Sequence, residues 1–278
     1  MQWQRGLIAA GACFCLLHSP PMLLAGGATG RPSALAEASP REILTAAFSN
    51  RYSVDLVSRI KLVMYGRRGQ QRERTLVAAS KVVNGRVYSI GRLVSPAYLR
   101  DMTVLMMERS DRGGDAFIFF PSLDKVRRIT TAQRSDAFFG SDVTYEDIEQ
   151  QRADDFEIDS MKEEIFRGEA IYRIKARPSR RENYEQVIFA VAQKDAALLN
   201  IQYYKRGSNE AFRIIDAPRE DMVVLGGHVL PTRINVENHV RGTRTEVLLT
   251  KMSADHEIPD RIFSVRTLES RSPIPQLP

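Results

Sequence analysis

The sequence predicts a mainly β protein with a few helices: one large, curved antiparallel sheet, an N-terminal helix, and short helices around residues 134–152. Three observations carry this. Short runs of alternating or continuous apolar residues recur at regular spacing, about eleven in all. The joints between them carry hairpin chemistry. No strand–helix–strand alternation appears, which disfavours a parallel doubly wound sheet.

In chain order, residues 1–36 read as a secretory signal peptide. Met1–Arg5 is a short basic n-region, and the apolar run Leu7–Leu17 is interrupted by Ser19-Pro20-Pro21 before it reaches the roughly 18–20 residues a membrane span needs. Ala34-Leu35-Ala36 offers a cleavage site, and a cut near Ala25–Ala28 also fits. The chain is therefore expected to be exported. Cys13 and Cys15 both fall in this leader, and Ala10 stands where a lipoprotein signal wants Leu, so acylation is not expected. The chain beyond the leader has no cysteine, hence no disulfide, thiolate nucleophile or cysteine metal ligand.

Residues 40–53 predict a helix: Ser39 caps, Pro40 suits the first turn, and Ile43, Leu44, Ala47 and Phe48 share a face. Over 54–65 the period changes to that of a strand, with Leu56, Ile60, Leu62 and Met64 on one side. Asn84-Gly85 marks a type I′ hairpin, and Asp111–Asp115 joins the strands MTVLMMER and AFIFF. Turns at Lys205–Asn209, Gly226-Gly227 and Arg241-Gly242 separate EQVIFAVA, LLNIQYYK, AFRIID, PTRINVENHV and TEVLLTKM. Thr144-Tyr-Glu-Asp147 resembles a capping box opening a short helix over 144–151. One domain over 37–268 results, with a Pro-rich tail, 269–278, expected to fray.

Little here supports chemistry. Removing the leader takes Arg5 and Arg31 from the 40 basic residues and no acid from the 34, so the excess falls from six charges to four, without a basic block. That argues against nucleic acid and leaves transient contact with an anionic membrane surface. His228, His239 and His256 lack metal-ligand spacing, and no nucleophile elbow, phosphate loop or dinucleotide fingerprint occurs. Adjacent acids such as Asp154-Asp155 and Glu163-Glu164 point to opposite faces of a strand and cannot pair unaided. No catalytic residue, cofactor or metal is expected.

What the sequence has in excess is apolar surface. MTVLMMER and AFIFF are apolar on both faces, so each face needs a cover. Either packed layers lie on both sides, or one side encloses a hollow for an apolar ligand. Phe138 and Phe139 raise the same question, standing as adjacent aromatics in a polar, glycine-containing connection.

The segment Pro121-x-x-x-Lys125-Val-Arg-Arg128, followed by Arg134-Ser-Asp136-x-Phe138-x-Gly-Ser-Asp142-x-x-Tyr145-Glu-Asp147, resembles the outer-membrane lipoprotein-sorting proteins of the LolA/LolB-like superfamily. Phe117–Phe120, Asp154-Asp-Phe156 and Arg241-Gly-Thr-Arg244 fit the same pattern, over roughly residues 40–268. The resemblance implies an unclosed β-barrel with lid helices, carrying the acyl chains of a lipoprotein or another amphiphilic lipid through the periplasm. It implies a lining and lid of Leu62, Met64, Met106, Phe117, Phe119, Phe138, Phe139, Tyr145 and Ile148. It also implies an inner-membrane transporter, of ATP-binding-cassette or resistance-nodulation-division type, as a partner. The alternative is a sensor of the same fold that controls an envelope protein partner or export pump, docking it through Lys125, Arg127 and Arg128.

Overall fold

The computed structural model describes residues 35–109, 114–180, 182–254, 256–270 and 274. The expected leader up to residue 34 lies outside them, as do Asp111–Gly113 of the expected turn. Helix α1 (Pro40–Tyr52) begins as its sequence dictates. The Glu42 amide donates to the Ser39 hydroxyl, and the Glu42 carboxylate accepts the Ser39 N–H at 2.7 Å. The four residues expected to share a face are its buried ones.

Six strands follow: β1 (Leu56–Tyr65), β2 (Gln71–Val83), β3 (Arg86–Ser95), β4 (Thr103–Glu108), β5 (Gly114–Phe120) and β6 (Lys125–Ile129). After a connection containing the one-turn helix α2 (Tyr145–Ile148) come β7 (Phe156–Phe166), β8 (Glu169–Pro178), β9 (Gln186–Ala192), β10 (Leu198–Tyr204) and β11 (Ala211–Asp216). The hairpin β12 (Met222–Leu225) and β13 (His228–Pro231) stands apart. Strands β14 (Arg233–Asn238) and β15 (Thr243–Ser253), then helix α3 (Val265–Ser270), complete the chain. Thirteen strands form one antiparallel sheet whose order runs β6-β5-β4-β3-β2-β1-β15-β14-β11-β10-β9-β8-β7. Its two end strands, β6 and β7, are not bonded to each other, so the sheet does not close.

The expected turns are present. Asn84 and Gly85 both have positive φ, 51° and 72°, as a type I′ hairpin requires, and Gly207, Gly226, Gly227 and Gly242 lie in the same region. Among the described residues the strands number fifteen rather than about eleven. The additional ones, β6, β7 and β8 with the small hairpin, are short or heavily charged. Dense charge hides such strands from an apolar-alternation reading, β6 and β7 being the two ends of the sheet. The expected helix over 144–151 is a single turn, although its capping box forms as read.

The sheet is covered on both faces, which accounts for the doubly apolar strands. Val104, Met106, Ala116 and Ile118 belong to an inner core with α1, Phe138, Phe139, Phe156 and Phe189. Leu105 and Phe119 belong to an outer one with Val57, Ile90, Ile262, Phe263 and Leu268. The outer cover is the C-terminal run, whose helix α3 extends past the expected boundary at residue 268. Ile274, in the tail expected to fray, is 2% exposed in that outer core, because one apolar residue between prolines has a groove to enter. Leu268→Ala should therefore cost about 3 kcal/mol of unfolding free energy in a denaturant titration, as for a fully buried core leucine. A loss below about 1 kcal/mol would show the C-terminal cover to be dispensable.

Candidate functional site

The chain between β6 and β7 lies on the inner face as a series of single helical turns, at Thr131–Gln133, Phe138–Gly140, α2 and Ala153–Asp155. A turn this short is unstable alone, so the segment depends on what it docks against. Phe138 and Phe139 answer the question they raise: both are buried in the inner core. Their rings lie 4.3 Å apart, and Tyr145 meets Phe138 edge-on at 5.6 Å. The chain reverses at Phe139 and Gly140, with φ of 50° and 77°. For a phenylalanine that left-handed conformation costs on the order of 1 kcal/mol, which burial of two aromatic rings outweighs.

A buried polar latch fixes this segment to the sheet. Arg213 of β11, 7% exposed, reaches both carboxylate oxygens of Asp147, with Nη1 to Oδ1 at 3.0 Å and Nη2 to Oδ2. Its Nη2 and Nε also donate to the Asp142 carbonyl, at 3.1 and 3.3 Å. Asp142 accepts from Thr243 at 2.6 Å and Thr245 at 2.9 Å, while its own N–H donates to the Thr245 hydroxyl. Asp147 simultaneously takes the Thr144 N–H at 2.7 Å, so the helix cap and the ion pair share one carboxylate. Burial pulls the Arg213 pKa down, but the adjacent Asp147 carboxylate outweighs it and the net direction is up. The Tyr203 ring under the guanidinium, 5.2 Å away, completes the enclosure.

Beside the latch is a cavity of about 110 Å³. It lies between Val87, Met106 and Gly114 on one side and Phe156, Pro178 and Tyr184 on the other, roofed by Glu146–Arg152. Glu146 and Glu149 both face it, and burial pushes each carboxyl up to about 7. For Glu146, Glu182 and Asp147 push the same way while Tyr184 and Arg213 oppose them. For Glu149 the 3.2 Å pair with Arg134 opposes burial and loses. Glu182 is also raised by burial.

The expected lining residues divide between the faces. Leu62, Met106, Phe138, Phe139 and Tyr145 are in the inner core, Ile148 packs against it, and Met64 is buried beside Thr245, its register partner. Phe117 and Phe119 are on the outer face: Met106 is paired with Ala116, and Phe117 with Leu105. The expectation that they join Met106 is thus corrected, since a shift of one residue moves every side chain to the opposite face. Lys125, Arg127 and Arg128 are exposed on edge strand β6 rather than in a turn, with Arg128 paired to Asp115 and Arg127 5.6 Å from the Phe120 ring. Sequence reasoning missed Arg213, Thr243 and Thr245. The available signal was an arginine sharing strand parity with Ile215 in AFRIID, a core position that demands a partner. Among the described residues no cluster of His, Cys, Asp or Glu could hold a metal, and no helix is long and apolar enough to cross a membrane.

An open antiparallel sheet with one face covered by α1 and a string of helical turns is the architecture of the LolA-like proteins, and comparison bears this out. A domain from Vibrio parahaemolyticus described as an outer membrane lipoprotein-sorting protein superposes with a TM-score of 0.75 at 16% identity, over 82% of this chain and 97% of that one. A DUF1329 family protein from Desulfovibrio piger gives 0.75 at 20% identity, over 82% and 97%. A LolA superfamily protein from Nitrosomonas europaea gives 0.63 at 21%, over 82% and 99%. At such identities the likeness establishes the fold. A family model described as an uncharacterized protein matches residues 85–270, and the chain belongs to that family. No curated protein matches it.

Two outcomes follow from the latch. Arg213→Met strands a buried carboxylate and should cost about 3–5 kcal/mol, with part of it recovered in Arg213→Met/Asp147→Leu, which still lacks the Thr144 cap; hydrogen exchange should localise the loss to residues 136–149. Glu146, raised from an ordinary 4.5 to about 7, contributes stability that is complete below pH 4.5 and lost as pH rises through 7. Glu146→Gln should therefore gain on the wild type between about pH 5 and about pH 8, by on the order of 2 kcal/mol. Parallel stability curves would mean that this carboxyl is solvated.

Proposed function

We propose that this protein is a periplasmic, non-enzymatic carrier. Its domain over residues 37–268, released from a cleaved leader, shields the acyl chain of a lipoprotein or another amphiphilic lipid on its way to the outer membrane. The observation carrying this reading is the cover of the inner face: residues 131–155 have almost no regular structure of their own and depend on docking contacts, the buried Arg213 latch and more exposed pairs such as Arg152–Glu108. The cavity under residues 146–152 is small. A cavity near 150 Å³ lodges a benzene ring, so 110 Å³ cannot take a sixteen-carbon chain. A lipid entering there must displace the aromatic side chains of the lid. Burying about sixteen methylenes is worth on the order of 12 kcal/mol gross, more than enough to offset lid opening.

The free edge of β6 favours a second role beside the first, docking of an inner-membrane transporter or regulated partner by strand addition, with Lys125, Arg127 and Arg128 selecting an acidic segment.

Because cysteine is confined to the leader, a lock can be tested cleanly. Asp142→Cys/Thr243→Cys, joined by a short bis-maleimide, should abolish uptake of a fluorescent sixteen-carbon acyl probe, while the unjoined variant keeps it. Equal uptake by the locked protein, or wild-type protein that never carries lipid in native mass spectrometry, would sink the carrier reading. Arg127→Glu/Arg128→Glu should leave acyl uptake intact while abolishing capture of a partner.

A further inference from the structure

The cavity under Glu146–Arg152 has a chemical asymmetry that closing the lid does not require. Three consecutive side chains along its roof end in acceptor oxygens that are buried and have no hydrogen-bond partner in the protein: Glu149 Oε1, Gln150 Oε1 and Gln151 Oε1. Gln151 is 7% exposed, so bulk water does not serve it freely. A buried acceptor without a donor costs about 1–3 kcal/mol, and three on one roof make a costly way to build a structural plug.

The formal charge is mixed, with acids in excess. Six carboxyl groups and three guanidinium groups line the cavity. Each guanidinium is already engaged, Arg134 with Glu149, Arg152 with Glu108, and Arg180 with a partner of its own. The surplus is in acceptors and negative charge, which disfavours a phosphate or carboxylate guest. A divalent metal is disfavoured too, since no three acidic or histidine side chains among the described residues converge as ligands. The walls below the roof add apolar surface, Met106 on one side and Phe156 on the other. An acceptor-rich roof over apolar surface fits a cationic donor attached to a hydrocarbon.

We propose that this cavity binds a protonated primary amine carried on an alkyl group: the ammonium donates its three N–H bonds to the roof oxygens and its chain lies between Met106 and Phe156. An alkylammonium has the donor count of a lysine side chain and stays charged at neutral pH. In its long-chain form, as an amino-bearing amphiphilic cargo, the proposal rests on the carrier reading. In its short form it does not, because ethylammonium is smaller than benzene and enters without lid displacement.

The test uses the chain without its leader and ligand-observed NMR with ethylamine, ethanol and acetate, then dodecylamine and dodecanoate with the same protein. Ethylamine should bind at least tenfold more tightly than either short analogue. Gln151→Leu, near-isosteric and checked for an unchanged thermal midpoint, and Glu149→Gln should each weaken it by about tenfold. Equal binding of ethanol or acetate, no ethylamine binding, an unchanged affinity in Gln151→Leu, or displacement of ethylamine by millimolar calcium would overturn the proposal. Binding of ethylamine with neither long chain bound would keep this site and remove the carrier reading. Both long chains bound equally, with ethylamine unbound, would do the reverse.

Discussion

The closed state of this molecule depends on one buried guanidinium. Arg213 projects from the middle of an otherwise apolar strand face into a space that α1 and the aromatic residues of the lid would fill alone. There it meets Asp147 and the Asp142 carbonyl. A charge in that position is tolerable only when matched with good geometry, so the sheet and the 136–149 segment constrain each other. The arrangement differs from a greasy plug in an important respect. Apolar packing tolerates sliding, whereas a forked pair with two threonine hydroxyls behind it has one register.

The two faces of the sheet are treated differently. The outer face of β1–β5 is sealed by the C-terminal run through local turns, α3 and Ile274, mainly by apolar contacts, with Lys81 of β2 also pairing with Asp260. The inner face is sealed by α1, which is capped and regular, and by a string of short turns that is neither. Stability is therefore uneven by construction. The outer cover and α1 belong to the cooperative core, and the lid segment belongs to the part that can open locally. Carboxyls held near pH 7 beneath that lid place its weakest point at the cavity.

Much of this was legible beforehand where local rules decide it. The helix at 40–52 follows from Ser39, Glu42, Pro40 and one apolar stripe, and the hairpins follow from Asn84-Gly85 and the later glycines. The capping box at Thr144 reads directly from four letters. The edge strands escaped notice because charged side chains on an unpaired edge have no apolar period to show. The division of Phe117 and Phe119 from Met106 escaped because parity is set by the pairing partner, not by the strand itself.

The sequence by itself determined the mainly antiparallel class, the turn positions, the absence of cysteine beyond residue 15, and the fact that strands 103–120 need covers on both faces. Each of these depends on residues close together in the chain. Tertiary structure alone decided which cover lies on which face, that β1 closes against β15, and that Arg213 finds Asp147 across 66 positions of chain. Those are long-range pairings, chosen by the total burial and charge compensation of the folded molecule, and no local stretch of sequence encodes them.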